Sequence, residues 1–326
     1  MIAFASGAGF RKIFSKPLNH SGNIFGADSS LRSQKMAKFS MLDLFSGCGC
    51  LSLGFERAGF RDKVGVEYLE ETAATWAMNR PHAAMLNEDA RRIDFKKLSE
   101  AVDGVDIIVG GPPCEGFSGA NKNPDSAESK MKRALMREAL RAVAEIKPRA
   151  FVFENTAAIN RGTAVARAKR AAESAGYDFH AITLRADDFG VPQMRKRTFM
   201  MGLRGGEKFA EAFDAAIEKR KRAPKKLTEV LSGLGPVGRT SDRLHDVIET
   251  SRDLSGMKAN ERLTNFGAGS RKLPRDVAFT IVSAVRHIHP EKDRFLSIRE
   301  MARIQGIPDS YRFIGSSVRG QKSSTW

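Results

Sequence analysis

Cysteine is scarce in this chain, which has three cysteines in 326 residues: Cys48, Cys50 and Cys114. Three are too few for a disulfide framework, and an odd number is typical of a protein from a reducing compartment. The pair Cys48 and Cys50 forms an isolated C-x-C, in a chain with only 6 histidines, and lacks the ligand spacing of a zinc site. We therefore expect neither disulfides nor a bound metal.

Long apolar runs are also missing. No stretch approaches the ~18 residues that a membrane-spanning helix needs, so we expect no membrane partner. A cytoplasmic protein, associated with the nucleoid if the source is bacterial, is the expectation. Residues 1–38 are basic and resemble a transit peptide in composition. They are equally typical of a disordered tail, or of an over-long reading frame whose real start is Met36.

Acidic residues are outnumbered, with 38 Asp and Glu against 54 Lys and Arg, which gives a net charge of +16. A polyanionic partner, most simply nucleic acid, accounts for this excess. The alternative is a basic protein without such a partner. The run "KRKRAPKK" at 219–226 is by itself more typical of a solvated surface than of a specific contact.

Short apolar runs alternate with helical patterns from Phe39 to Leu203. This alternation predicts an α/β fold with a doubly wound, mostly parallel sheet covered by helices on both faces. The predicted strands are "FSMLDLF", "KVGVE", "HAAML", "VDIIVGG", "AFVFE", "DFHAITLRA" and "RTFMMGL". We expect this domain to occupy residues 39–203.

The alternation stops after Leu203. Residues 204–275 are rich in turn formers and have no clear period, which indicates a second, smaller domain. Strand and helix patterns return in "AFTIVSAV" and "LSIREMARIQGIP", so residues 276–326 are expected to return to the first domain.

Several predicted strands end in residues suited to a nucleoside cofactor. The first ends in the glycine turn "DLFSGCG", where backbone N–H groups can approach a ligand closely. Glu67 ends the second strand, where an acid hydrogen-bonds ribose hydroxyls in folds of this class. Asp89 follows the third, placed for an adenine amino group. Alternatively, Glu67 and Asp89 are ordinary surface acids.

The fourth predicted strand leads into "GGPPCEGFSG", residues 110–119, with Cys114 at its centre. Two prolines stiffen the chain before Cys114 and glycines free it afterwards. A rigid base followed by a mobile loop suits a nucleophile that is covered once substrate enters. A buried structural cysteine explains this setting less well.

Two further strand ends complete a candidate catalytic group. Glu154 ends the fifth strand, in "VFENT", and Arg195 and Arg197 lie in "QMRKR" before the seventh. A nucleophile, an acid and fixed positive charge together suit reaction with an electron-poor heterocycle. The alternative for "QMRKR" is a solvated turn.

These motifs, in this order, resemble those of the cytosine-C5 DNA methyltransferases over roughly residues 40–315. The resemblance also includes "RFLSIREMARIQGIPDSY" near the C-terminus. It implies that Cys114, as thiolate, adds to C6 of a cytosine flipped out of duplex DNA. Glu154 would assist at N3, Arg195 and Arg197 would hold the ring oxygen and the loop, and C5 would take a methyl group from S-adenosylmethionine. The residues implied to bind that cofactor are Phe45, Ser46, Gly47, Gly49, Glu67, Asp89 and Pro112.

The resemblance further implies that residues 204–275 form a target-recognition domain and that the protein acts as a monomer on DNA. A restriction–modification system, with a cognate endonuclease, is one expected setting. The chain departs from the family pattern at Cys50, where a glycine is usual, and at "ENT" in place of Glu-Asn-Val. It ends in "GSSVRGQKSSTW" without the usual Gly-Asn-Ala-Val-type segment. Two alternatives stay open: a tRNA methyltransferase, and an impaired relative that binds DNA without reacting.

Overall fold

The structure is a computed structural model. It describes residues 39–113, 127–161, 163–206, 209–234, 257–259, 271–282 and 287–314, with backbone only for 127–133. Residues 1–38, Cys114 and much of the range 204–275 lie outside these residues. In the part of the chain that is described, no helix is long and apolar enough to cross a membrane.

A seven-stranded sheet forms the centre of the molecule, in the order β3-β2-β1-β4-β5-β7-β6. Its first five strands are parallel, and β7 runs antiparallel between β5 and β6. The predicted α/β fold with a mostly parallel sheet is confirmed. The strands are β1 Ser40–Leu44, β2 Arg61–Val66, β3 Ala84–Leu86, β4 Ile107–Gly110, β5 Ala150–Thr156, β6 Tyr177–Arg185 and β7 Lys196–Arg204, and a separate pair is formed by β8 Arg271–Lys272 and β9 His287–Ile288.

Helices follow most strands, as the alternating pattern predicts. They are α1 Cys50–Arg57, α2 Glu70–Met78, α3 Phe95–Ala101, α4 Ala127–Ile146, α5 Ala164–Ser174, α6 Phe209–Glu218, α7 Leu227–Leu231 and α8 Ile298–Ile304. In α5 the buried positions are Ala164, Ala168 and Ala172, one helical turn apart. Helix α8 starts with a capping box between Ser297 and Glu300.

Both faces of the sheet are buried. Successive side chains of a strand point to opposite faces, so each strand contributes to two cores. On β1, Leu42 and Leu44 belong to a core with α3, α4 and α5. Met41 belongs to a second core with α1 and α6. On β5, Phe151 and Phe153 face the first core. Strand ends at one edge of the sheet are thereby held between two packed layers.

The range 204–275 begins with a helix that packs on the sheet. Phe209, Phe213 and Ile217 of α6 are buried in the second core. A third, smaller core joins α7 to the C-terminal region: Leu227, Leu231, Leu273, Ala278, Ile281, Leu296 and Ile304. The boundaries of the target-recognition domain stay a prediction. In "AFTIV", Ala278 makes a single bridge to Gln193, and the described residues 277–282 form no strand.

Candidate active site

The loop after β1 is shaped by three residues with positive φ. Phe45, Gly47 and Gly49 have φ of 56°, 52° and 79°. The amide of Ser46 donates to the carbonyl of Val66 at 3.1 Å, which ties the loop to the end of β2. A Cβ at Gly49 would lie 2.3 Å from Arg80 Nη1, whereas one at Gly47 would meet nothing within 4 Å. The loop is therefore packed on one side and open on the other.

Glu67 joins the loops that follow β1 and β2. Its Oε2 accepts from the amide of Gly47 and its Oε1 from the amide of Leu69, each at 2.8 Å. Asn87 donates to the carbonyls of Glu67 and Tyr68, at 2.8 and 3.0 Å. Sequence reasoning placed Glu67 on a ribose. In the structure each carboxylate oxygen already has one backbone donor and keeps a second lone pair for a ligand.

Asp89 lies at the N-cap of the short 3₁₀ helix Ala90–Arg92. Its Oδ1 accepts from the amide and from Nε of Arg91, both at 3.0 Å. The hydrogen bond from the Arg91 side chain holds the pKa of Asp89 below its ordinary value. A role of Asp89 toward an adenine amino group stays a prediction. An adenine at this position would compete with Arg91 for the carboxylate.

Two side chains beside the β1 loop suit a ligand, a buried hydroxyl and an exposed ring. Ser46 Oγ is buried and, among the described residues, has no hydrogen-bond partner. Tyr68, directly after Glu67, is 71% exposed, although large apolar rings are normally covered. Sequence reasoning missed Tyr68. In the sequence, its position directly after a strand-end acid was the available signal.

Two titratable groups lie under this loop, of which Asp43 is buried and Cys50 partly buried. Asp43 is fully buried and accepts hydrogen bonds from Ser52 Oγ and from Trp76 Nε1, the latter at 3.1 Å. Burial raises the pKa of Asp43 to about 6. Burial likewise raises the pKa of Cys50 to about 11, while the charges of Arg80 and Arg195 oppose that rise. The charge of Arg195 thus acts on Cys50, the first residue of the helix that follows the β1 loop.

The end of β4 is closely packed against its neighbours. A Cβ at Gly110 would lie 2.3 Å from the carbonyl oxygen of Leu44, and one at Gly111 would lie 3.5 Å from Glu154 Oε2. Asn155 Nδ2 donates to the carbonyl of Pro112 at 3.0 Å. Gly110 therefore allows β4 to approach β1 at this end, whereas the contact at Gly111 is an ordinary one, and Asn155 anchors the segment that leads into Cys114. Cys114 itself lies outside the described residues.

Glu154 and Arg197 are brought together by the antiparallel pairing of β5 and β7. Arg197 Nε lies 2.7 Å from Glu154 Oε1, with 13% and 15% of the two side chains exposed. The contact is an ion pair without hydrogen-bond geometry, since Glu154 Oε1 accepts no hydrogen bond within the described part of the chain. The expected grouping of these two residues at one edge of the sheet is present.

Arg195 lies beside this pair. Burial, followed by the charge of Arg197, lowers the pKa of Arg195 to about 10, and Glu154 and Cys50 counteract the fall. Arg195 Nη1 donates to the carbonyl of Ile281 at 3.4 Å. Two guanidinium groups and one carboxylate thus share a water-poor edge next to the loop of β1. Among the described residues, no group of three or more His, Cys, Asp or Glu side chains is placed to hold a metal ion.

Residues 39–324 match the family described as "C-5 cytosine-specific DNA methylase". The chain belongs to this family. The match includes the β1 loop, the segment around Cys114, Glu154 and both arginines, and it confirms the family and enzyme class that the motif order predicted.

Curated relatives agree with the family. A type II methyltransferase of Haemophilus parahaemolyticus is 30% identical over 313 residues, which cover 86% of this chain and 81% of the relative. A type II methyltransferase of Neisseria gonorrhoeae is 29% identical, with 85% and 88% covered.

Solved structures share the fold of this family member. A putative DNA modification methyltransferase encoded within an E. coli prophage superimposes with a TM-score of 0.67 at 24% identity, over 85% of this chain and 91% of the other. The Dnmt2 methyltransferase of S. pombe has a TM-score of 0.63 at 16% identity, over 87% and 91%. At these identities the likeness concerns the fold alone.

Proposed function

We propose that this protein methylates C5 of a cytosine flipped out of duplex DNA, through a covalent bond between Cys114 Sγ and C6. The observation that carries the proposal is the Glu154–Arg197 ion pair. It lies at the strand edge where Asn155 anchors Pro112, two residues before Cys114. In a member of the cytosine-5 family, this edge is where the reacting ring has to be held.

The β1 loop is the proposed site of S-adenosylmethionine, which supplies an electrophilic methyl group on a positively charged sulfur. The open side of Gly47, the unpartnered hydroxyl of Ser46 and the free lone pairs of Glu67 suit the ribose and amino-acid parts of that molecule. Tyr68 provides an exposed ring for the adenine. Phe45, Gly49, Asp89 and Pro112 complete the proposed cofactor residues.

Four side chains of this protein carry the proposed reaction: Cys114, Glu154, Arg195 and Arg197. The Cys114 thiolate adds to C6 and pushes electron density toward C5, while Glu154 donates a hydrogen bond or proton to N3. Arg197 holds the Glu154 carboxyl in place, and Arg195 with Arg197 holds the ring oxygen and the catalytic loop. After C5 has taken the methyl group, it loses its proton to a base. The Cys114–C6 bond then breaks, any proton given to N3 returns to Glu154, and the ring becomes aromatic again.

Duplex DNA is the proposed substrate. The net charge of +16 favours a phosphate-rich partner. A cytosine has to leave the stack, because C6 cannot be attacked inside the duplex. The relatives, which are named type II methyltransferases, support a modification enzyme. A cognate endonuclease in the same system is part of the proposal. Action as a monomer in the cytoplasm, on genomic DNA, is part of the same proposal.

The test is transfer of labelled methyl from S-adenosylmethionine to unmethylated duplex DNA, with a structured tRNA as the second substrate. Label in DNA that is lost in Cys114→Ser supports the proposal. Label in tRNA alone would assign the enzyme to RNA. A folded protein that binds DNA but labels neither substrate would be a binding protein.

The covalent step has its own measurement. Duplex DNA with 5-fluorocytosine blocks the last step, because fluorine at C5 cannot leave as a proton does. The wild-type protein with S-adenosylmethionine is expected to form an adduct that survives denaturing electrophoresis, and Cys114→Ser is expected to form none. An adduct that persists in Cys114→Ser would assign the nucleophile to another residue.

A further inference from the structure

The side chain of Arg80 lies fully buried behind the β1 loop, two residues after the end of α2. Its Nε lies 2.9 Å from Asp62 Oδ2 and its Nη2 lies 3.1 Å from Glu56 Oε2. The same Nη2 donates to the carbonyl of Gly49 at 2.9 Å, and Nη1 donates to Tyr311 Oη at 2.9 Å. One guanidinium thus joins β2, α1, the β1 loop and the C-terminal region.

Tyr311 extends this connection to a second carbonyl of the loop. Its hydroxyl accepts from Arg80 and donates to the carbonyl of Cys48. Arg80 and Tyr311 therefore hold two consecutive carbonyls, those of Cys48 and Gly49. The residue before them, Gly47, gives its amide to Glu67 on the opposite side. Arg80 and Tyr311 hold the loop through its carbonyls, and Glu67 holds it through the amide of Gly47.

Packing around Arg80 is close. The guanidinium carbon lies 4.9 Å from the ring centre of Trp76 and 5.9 Å from that of Tyr311. A Cβ at Gly49 would approach Trp76 Cδ1 to 2.7 Å and Tyr311 Oη to 2.8 Å. Gly49 therefore rests directly on Arg80, Trp76 and Tyr311, and a shift of these side chains moves the loop.

The C-terminal segment is fastened to α2 by its own contacts. Asn79 donates to the carbonyl of Arg312 at 2.7 Å and accepts from the amide of Arg312 at 2.9 Å. The amide of Ile314 donates to Thr75 Oγ1 at 3.0 Å. These bonds fix the backbone directly after Tyr311 to α2, which limits the positions in which its hydroxyl meets the loop.

The charge of Arg80 is secured by its surroundings. Burial acts against the cation, but Tyr311, Asp62 and Glu56 outweigh burial and raise the pKa of Arg80. A buried cation with several acceptors is a rigid connection, because each bond fixes part of the planar guanidinium.

We infer that Arg80 and Tyr311 are positioning residues for the cofactor, which set the shape of the Ser46–Gly49 turn and couple it to the C-terminal segment. The inference rests on the proposed binding of S-adenosylmethionine at this loop. It gives the segment that contains Tyr311 a direct part in forming the cofactor site.

The test variant is Tyr311→Phe, which removes both hydrogen bonds and keeps the ring. Replacing Arg80 would leave Asp62 buried without its partner and endanger folding. A matched control is Tyr177→Phe. Tyr177 is equally buried, accepts from Arg204 Nη2 at 3.1 Å and donates to the carbonyl of Pro148 at 2.7 Å, on β6.

Two kinds of readout are needed, the first on the cofactor and the second on the loop itself. Equilibrium binding of S-adenosylmethionine is expected to weaken on the order of tenfold in Tyr311→Phe, from the loss of two buried hydrogen bonds. Binding is expected to be unchanged in Tyr177→Phe, although both variants lose thermal stability. In steady-state kinetics, Tyr311→Phe is expected to raise KM for S-adenosylmethionine and to leave KM for DNA unchanged.

The second readout needs no cofactor. Hydrogen–deuterium exchange of peptides that contain the amide of Gly47 is expected to quicken in Tyr311→Phe and not in Tyr177→Phe. Equal exchange and equal cofactor affinity in the two variants would overturn the inference and leave the proposed function intact. Wild-type protein that binds no S-adenosylmethionine would overturn the proposed function, and the positioning of a cofactor with it.

Discussion

Arg197 Nε lies 2.7 Å from Glu154 Oε1, although the two residues belong to strands that are separated by β6 in the sequence. The contact exists because β7 turns back and pairs with β5 in the antiparallel sense. The pairing places a carboxyl group at the strand ends near Pro112, and a neighbouring cation sets the position of that carboxyl group. Several consequences of this arrangement and of the loop beside it are measurable.

Glu154→Gln keeps the size of the side chain and removes its acidity. We expect kcat for methyl transfer to DNA to fall about 10²- to 10⁴-fold, because the general acid at N3 is lost. Affinity for S-adenosylmethionine is expected to stay unchanged. Glu138→Gln is a matched control, since Glu138 is also paired with an arginine, Arg141, at 2.7 Å on α4. An equal loss of kcat in both variants would contradict a catalytic role for Glu154.

Gly49→Ala places a methyl group where Arg80 and Trp76 already lie and keeps a positive φ of 79°. We expect a large fall in melting temperature and weaker binding of S-adenosylmethionine. Gly104→Ala is the control, with a φ of 75° and no atom within 4 Å of the added methyl group. It carries only the backbone strain, about 1–2 kcal/mol. Similar melting temperatures and similar affinities for the two variants would contradict the close packing at Gly49.

His287 predicts a loss of stability in acid. Burial, with the charge of Arg271, lowers the pKa of His287 to about 4. The unfolded chain therefore binds more protons than the folded chain between about pH 6.5 and 4, and stability falls as the pH falls through this range. His287→Leu is expected to flatten the dependence of the unfolding free energy on pH there. The control His82→Leu, at an exposed position, is expected to leave it unchanged. Identical pH profiles for wild type and His287→Leu would refute this account.

Asp43 is expected to give the opposite dependence of stability on pH. Its folded pKa is raised to about 6 by burial, so the folded state holds a proton that the unfolded state releases above about pH 4. The associated stability is present at low pH and is lost as the pH rises through about 6. Asp43→Asn resembles the protonated acid and can still accept from Ser52 and Trp76. The fall in unfolding free energy from pH 5 to pH 8, measured with urea, is expected to be smaller for Asp43→Asn than for wild type. A larger loss would mean that the ionised carboxylate is the stabilising form.

The sequence alone identified what is local in this protein. Strand and helix periods predicted the α/β fold, because they follow from which faces are buried. The order of the motifs predicted the family, since each motif is a short contiguous run that can be read without knowing its partners. The glycines of the β1 loop, Gly47 and Gly49, were recognisable for the same reason: a tight turn leaves its residue types in the sequence. The roles of individual site residues stay predictions.

Tertiary structure alone decided which distant residues meet. Arg80 and Tyr311 are separated by 231 positions and share a hydrogen bond. No period or local motif relates them, because their contact depends on how the C-terminal segment packs on α2. The sequence also did not show that Glu67 accepts a hydrogen bond from the amide of Gly47, on the loop after a different strand. Residue types at strand ends are set by local geometry, whereas their partners are set by the packing of the whole chain.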